Sequence, residues 1–171
     1  KQRVGIARVI SLKPSLIVAD EPTSALDASI QAQILNLMME LKRDMGLSYM
    51  FISHNLAAVK HVCDKVAVMY LGNLVELSPR NQLYDNAMHP YTQALLSIAP
   101  VADIDHRRAR VVLKGDVPSP ANPPTGCRFH TRCPKCFDRC AEDVPTLLPV
   151  GNEHWVACHL YDRSPAAAHV D

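Results

Sequence analysis

No run of apolar residues in this 171-residue chain approaches membrane-spanning length. The longest stretches, such as residues 66–71, fall far short of the roughly 18 that a bilayer-crossing helix needs. Neither sign of charge dominates: 18 Lys and Arg against 17 Asp and Glu leave +1, so there is no global pull toward nucleic acid or an anionic membrane. The opening Lys1-Gln2-Arg3-Val4-Gly5-Ile6-Ala7-Arg8 has neither the apolar run nor the small-residue cleavage site of a signal peptide. GxxxxGK[ST] is absent as well, and with it the loop whose backbone and lysine cradle phosphates. What remains is ordinary for a soluble globular protein: 48% apolar and 20% charged residues, in a length that predicts one domain with a small appendage.

That average hides two unlike parts. Nine of the 13 prolines lie at or after Pro100, and five of the six cysteines fall at Cys127, Cys133, Cys136, Cys140 and Cys158. Before residue 80, helix-like and strand-like segments alternate. Residues 1–12 carry a mixed helical pattern that stops before Pro14. Residues 16–19 form a short apolar run closed by Asp20-Glu21-Pro22, which reads as a buried parallel strand. Asp27 is placed to cap a helix whose apolar positions Ile30, Ile34, Leu37, Met38, Leu41 and Met45 recur at helical spacing, with Gly46 to end it. Residues 49–52 are the next strand, Asn55 caps a short helix over 56–61, and residues 65–71 are a third strand. Gly72-Asn73 reads as a turn, with residues 74–77 returning antiparallel. The expected class is α/β with a mostly parallel sheet, in which ligands gather at the carboxyl ends of strands. Asp20, Glu21 and His54 occupy such ends.

A strand ending in Asp-Glu suits phosphoryl transfer. The strand holds Asp20 rigid for Mg²⁺, while Glu21, one bond on, faces the line of attack. As an isolated fragment it is more commonly a solvated turn, and a lone His54 more commonly a cap or core residue. The wider sequence reverses both preferences. The segment Leu16-Ile17-Val18-Ala19-Asp20-Glu21-Pro22-Thr23-Ser24-Ala25-Leu26-Asp27 resembles the Walker B and D-loop of ATP-binding cassette (ABC) ATPases. Ile52-Ser53-His54-Asn55 resembles their switch-histidine segment, although Asn55 stands where the family usually carries an acidic residue. Residues 2–8 look like the helix that follows the signature loop, which would end just before Lys1. The resemblance implies that Asp20 holds Mg²⁺ through water and that Glu21 is the general base or water-positioning carboxylate. It also implies that Asp27 contacts a partner ATPase and that His54 senses the γ-phosphate.

The cysteine intervals of 6, 3, 4 and 18 favour metal ligation over a disulfide framework beside such a domain. Thiolates suit zinc or an iron–sulfur cluster, and His130, His154 or His159 could replace one at a zinc site. Residues 122–134 with Val156-Ala157-Cys158-His159-Leu160 resemble the carboxyl-terminal extension of oligopeptide/dipeptide ABC-transporter ATPases, as does the stretch 80–100 with His89-Pro90-Tyr91-Thr92. That resemblance matches Cys127, Cys133, Cys140 and Cys158 and implies a [4Fe-4S] cluster in some members, with zinc as the alternative. Cys136 is extra, either a substitute for Cys140 or a small apolar residue, and Cys63 reads as core.

The expected organisation is a partial ABC-type P-loop ATPase domain over 1–80 and a helical connecting region over 81–117. A small irregular Pro/Cys-rich extension over 118–161 and a tail over 162–171 complete it. Within it, residues 118–124 read as a stiff extended linker and 101–110 as a charged stretch. The function implied is that of an ATP-hydrolysing subunit, acting with Mg²⁺, that powers peptide import. It would sit peripherally on the cytoplasmic face of the membrane with a second ATPase subunit and transmembrane permease subunits, and indirectly with a solute-binding protein. The fragment alone, lacking the phosphate loop, is expected to be inactive. The alternatives are a non-catalytic truncated interaction module, or a zinc-bearing soluble ABC-type ATPase acting on nucleic acid. The mixed charges Arg128, Arg132, Lys135 and Arg139 among Asp138, Glu142 and Asp143 argue against nucleic acid.

Overall fold

A computed structural model of the chain describes residues 2–98 and 111–162. Lys1, the charged stretch 101–110 and the tail beyond Asp162 lie outside the described residues. The chain divides into two compact units between Cys63 and Asp64.

The first unit runs α1 (Gln2–Ile10), β1 (Leu16–Asp20), α2 (Ala28–Met45), β2 (Ser48–Ile52) and α3 (Leu56–Val62). β1 and β2 pair in parallel, with Leu16 opposite Ser48 and Asp20 opposite Ile52. A parallel pair needs a crossover, and α2 supplies it. Asp27 caps α2 by accepting the Ile30 N–H at 2.9 Å, and Gly46 ends it at φ +65°, where a side chain would be strained. Asn55 caps α3 through the N–H groups of Ala57 and Ala58, at 3.1 and 3.2 Å. Ile34 and Met38 of α2 pack on Ala19, with Ile6, Leu26, Tyr49 and Phe51 around them; Leu35 meets Ala58 and Val62, with Cys63 beside them.

The strand expected to be buried on both faces is covered on one. Ala19 faces α2, but Val18 is 60% exposed and Met50, its partner across the ladder, 57%. Leu16 and Ile52 share that bare face, because strand side chains alternate and no second layer among the described residues of this unit covers the even-numbered side.

The second unit begins with β3 (Lys65–Tyr70) and β4 (Asn73–Pro79), antiparallel as expected. The turn sits one residue earlier than the sequence suggests: Leu71 and Gly72 take φ +45° and +81°. Two consecutive positive φ values match the right-handed twist of the paired strands. α4 (Arg80–Asp85) and α5 (Pro90–Ile98) follow. After residue 111 the chain is irregular. The proline stretch is not straight, since Asn122 N–H reaches back to the Ser119 carbonyl at 3.2 Å. A 3₁₀ turn (His130–Arg132) and α6 (Arg139–Glu142) precede β5 (Leu148–Gly151), β6 (His154–Val156) and a last 3₁₀ turn (His159–Tyr161).

The two late strands were not legible in the sequence. They extend the β3–β4 hairpin into an antiparallel sheet of order β3-β4-β6-β5, in which Glu76 lies opposite Val156 and Leu77 opposite Trp155. Parallel pairing among the described residues is therefore confined to β1–β2. The core of this unit is aromatic: Tyr70, Val75 and Phe129, with Tyr91 and Leu113 against them. The rings of Tyr70 and Phe129 meet edge-on at 5.2 Å.

Candidate functional site

In the first unit, parallel pairing puts the carboxyl ends of β1 and β2 side by side. Glu21 N–H continues the ladder to the Ile52 carbonyl at 2.9 Å, then the backbone turns off at φ +45°. A non-glycine residue held there is strained, and such strain concentrates where a side chain must be aimed. The carboxylate is aimed at His54: Glu21 Oε1 lies 2.6 Å from Nδ1 and 3.2 Å from the backbone nitrogen of the same residue. A carboxylate only accepts, so Nδ1 carries the proton and Nε2 faces outward on a ring that is 80% exposed. Hydrogen bonding to the His54 side chain holds the Glu21 carboxyl below the ordinary carboxylate range, keeping it ionised near neutrality. Asp20, at the end of β1, is exposed beside it. Asp27 lies six residues beyond Glu21 as the cap of α2.

Thus Asp20, Glu21 and His54 come to one edge, as the sequence implied. The arrangement supplies two carboxylates for a hydrated cation and for water, with a protonated ring nitrogen next to the second.

In the second unit, the thiols of Cys127, Cys133, Cys140 and Cys158 lie within electrostatic reach of one another, and the Cys136 thiol donates to the Phe137 carbonyl at 3.8 Å. The Cys127 N–H also donates to the Cys140 carbonyl at 2.8 Å. Gly126, at φ +61°, makes that approach possible: a Cβ there would stand 2.5 Å from the Cys140 carbonyl oxygen. Burial pushes the Cys127 and Cys133 thiols up and the Cys158 thiol up to about 11. Backbone N–H groups two residues ahead oppose it, Phe129 at Cys127, Lys135 at Cys133 and Leu160 at Cys158. Burial outweighs these donors, so the metal-free thiols hold their protons near neutrality and a soft metal would have to displace them. No three His, Cys, Asp or Glu side chains among the described residues converge as a single-ion site. The donors suit a soft-metal centre chemically, but they are not gathered around one point. His130 Nδ1 lies 2.9 Å from the Cys127 carbonyl, and His159 bonds to Asp162 and to the Asp143 carbonyl.

A third cluster has no counterpart in the sequence reading. Glu76 is wholly buried on β4 and accepts three hydrogen bonds: from Met88 N–H at 2.8 Å, His89 N–H at 3.0 Å and His154 Nε2 at 2.7 Å. A buried carboxylate is tolerable only when its lone pairs are so satisfied. The single available signal was a glutamate inside an otherwise apolar strand. Its partner lies 78 residues away.

Comparison with known proteins adds a family signature. The model of the oligopeptide/dipeptide transporter C-terminal region matches residues 75–140. The chain is 57% identical over 168 residues to the Sinorhizobium fredii protein named "Probable peptide ABC transporter ATP-binding protein y4tS", covering 98% of this chain and 47% of that one. It is 56% identical over 163 residues to the oligopeptide transport ATP-binding protein AppF of Bacillus subtilis, covering 94% and 50%. The chain thus spans about half the length of the curated relatives it matches. A solved inward-facing structure of a metal-chelate type ABC transporter is 27% identical at a TM-score of 0.48, over 56% of this chain and 36% of that one.

Proposed function

We propose that this chain, a relative of the ATP-binding proteins of oligopeptide and dipeptide ABC transporters, is part of an ATPase subunit that powers peptide import. The observation that carries the reading is the 2.6 Å contact between Glu21 and His54 at the ends of two parallel strands. Mg²⁺ bound with ATP would supply positive charge against the phosphates, and Asp20 would be the residue that holds it. Glu21, ionised by its histidine partner, orients the attacking water and accepts its proton. His54, a donor at Nδ1, can turn that hydrogen bond to the terminal phosphate once Glu21 engages water. Asp27 meets the partner ATPase.

No helix among the described residues is long and apolar enough to cross a membrane. By its likeness to peptide-transporter ATP-binding proteins, we place the ATPase peripherally at the cytoplasmic face, with permease subunits carrying the peptide and a solute-binding protein supplying the other side.

The test is Glu21→Gln in the complete subunit with its permease partners. Steady-state phosphate release should be abolished while nucleotide binding persists; undiminished turnover would overturn the assignment.

We also propose that Cys127, Cys133, Cys140 and Cys158 hold a [4Fe-4S] cluster. A cluster places iron and sulfide between the cysteines, so its ligands need not meet at one point as the ligands of a single zinc ion must. Cys136 stands as the substitute for Cys140. Iron, sulfide and zinc analysis of the anaerobically purified complete subunit, with its absorption spectrum, tests this. One zinc and no visible absorbance would replace the cluster by a structural zinc site.

A further inference from the structure

We propose that Glu76 and His154 are positioning residues for the thiol centre, a buried pair that sets where Cys158 and Cys127 stand. The inference rests on reading the cysteines as one metal-binding centre. It concerns residues that ligate nothing themselves.

One carboxylate reaches both limbs of that centre. On one side, Glu76 Oε1 receives His154 Nε2 at 2.7 Å, and Glu76 lies opposite Val156 in the β4–β6 ladder. The next residue, Ala157, gives its N–H to the Val75 carbonyl at 2.9 Å, and Cys158 follows directly. The strand is only three residues long, so ladder bonds alone hold it weakly. The buried side-chain bond is what pins its start. On the other side, Glu76 Oε2 receives the His89 N–H, and the His89 ring packs 5.8 Å from Phe129. Phe129 is 1% exposed, and Cys127 and Cys133 pack against the core cluster it forms with Tyr70 and Val75.

His89 stays uncharged in this setting, because burial lowers its pKa to about 4. It uses Nδ1 to accept the Tyr91 N–H at 3.0 Å, so its ring does not compete for the carboxylate. His154 is therefore the ring donor to Glu76. The design is that of an outer-shell partner which fixes a ligand strand rather than a ligand atom.

The experiment uses the complete subunit with His154→Leu, His154→Gln and Glu76→Ala. The readouts are the iodoacetamide alkylation rate of Cys158 in metal-free protein and the metal content of the protein as purified. Leu removes the donor at similar bulk; the Gln amide can still donate to Glu76. Expected for H154L is Cys158 alkylation faster by about tenfold, through local release of β6, and metal content lower by about tenfold. H154Q should stay close to the parent in both, and E76A should exceed H154L. Alkylation of Cys158 at the parental rate in H154L overturns the inference. So does loss of the whole fold by H154L, judged by circular dichroism, since the pair would then serve the core at large. If the parent subunit carries no metal, the reading of the cysteines fails, while the alkylation comparison still decides whether Glu76 and His154 place Cys158.

Discussion

His54 and Glu21 lie 33 residues apart in sequence and 2.6 Å apart in space, with the histidine donating from Nδ1 and also offering its backbone N–H to the same carboxylate oxygen. Removing the imidazole by His54→Ala therefore removes the chief influence that lowers the Glu21 pKa. The Glu21 carboxyl should titrate at a higher pH in that variant, moving back toward its ordinary value. Carbon-detected NMR of labelled carboxyl groups reads the shift; an unchanged titration would mean that the contact does not persist in solution.

Stability should depend on pH through His89. Its folded pKa of about 4 lies below the ordinary 6.5, so between those values the unfolded chain binds more protons than the folded one. The contribution is complete above pH 6.5 and is lost as pH falls to about 4, on the order of 3 kcal/mol in all. Urea unfolding followed across that window should show the loss in the parent and a flatter profile in His89→Gln. Equal slopes would rule out His89 as the titrating group.

Gly126→Ala should disturb the cysteine segment specifically. The new methyl would meet Cys140 and Ala141 backbone atoms at 2.5 to 2.8 Å, at a backbone angle that already disfavours a side chain. A loss of about 2 kcal/mol or more is expected in thermal or urea unfolding. Retention of parental stability would show that the 126–127 segment can move away from α6.

At Asp27, substitution by Ala removes the acceptor for Ile30 N–H. About 1 kcal/mol of stability should be lost, as for other helix caps. Asp27→Asn should keep most of it, since the amide oxygen can still accept. If the contact with a partner ATPase also depends on the charge, D27N will weaken subunit pairing in sedimentation while leaving the unfolding midpoint close to the parent.

Most of the first unit was legible because its information is local. Ile34 and Met38 recur at helical spacing, Asp27 and Asn55 are good caps, and Gly46 ends a helix without strain. Asp20, Glu21 and His54 followed from strand ends and from the resemblance of their segments. The second unit resisted for the opposite reason. β5 and β6 have four and three residues, Pro149 interrupts the first, and the pair joins the sheet only through β6 on β4, some seventy residues earlier. Glu76 and His154 are ordinary surface residue types, and nothing in a linear pattern shows that each is the other's reason for being buried. The bare face of β1 was also invisible, because an apolar run does not tell whether anything lies on its second side.

That face has a consequence for handling and for the cell. Leu16, Val18, Met50 and Ile52 form an oily plate two strands wide, on a ladder that has no third strand among the described residues of the first unit. Such a plate is a template on which other chains stack. A polypeptide that presents this plate to solvent should be a chaperone client and a precipitation hazard as its concentration rises.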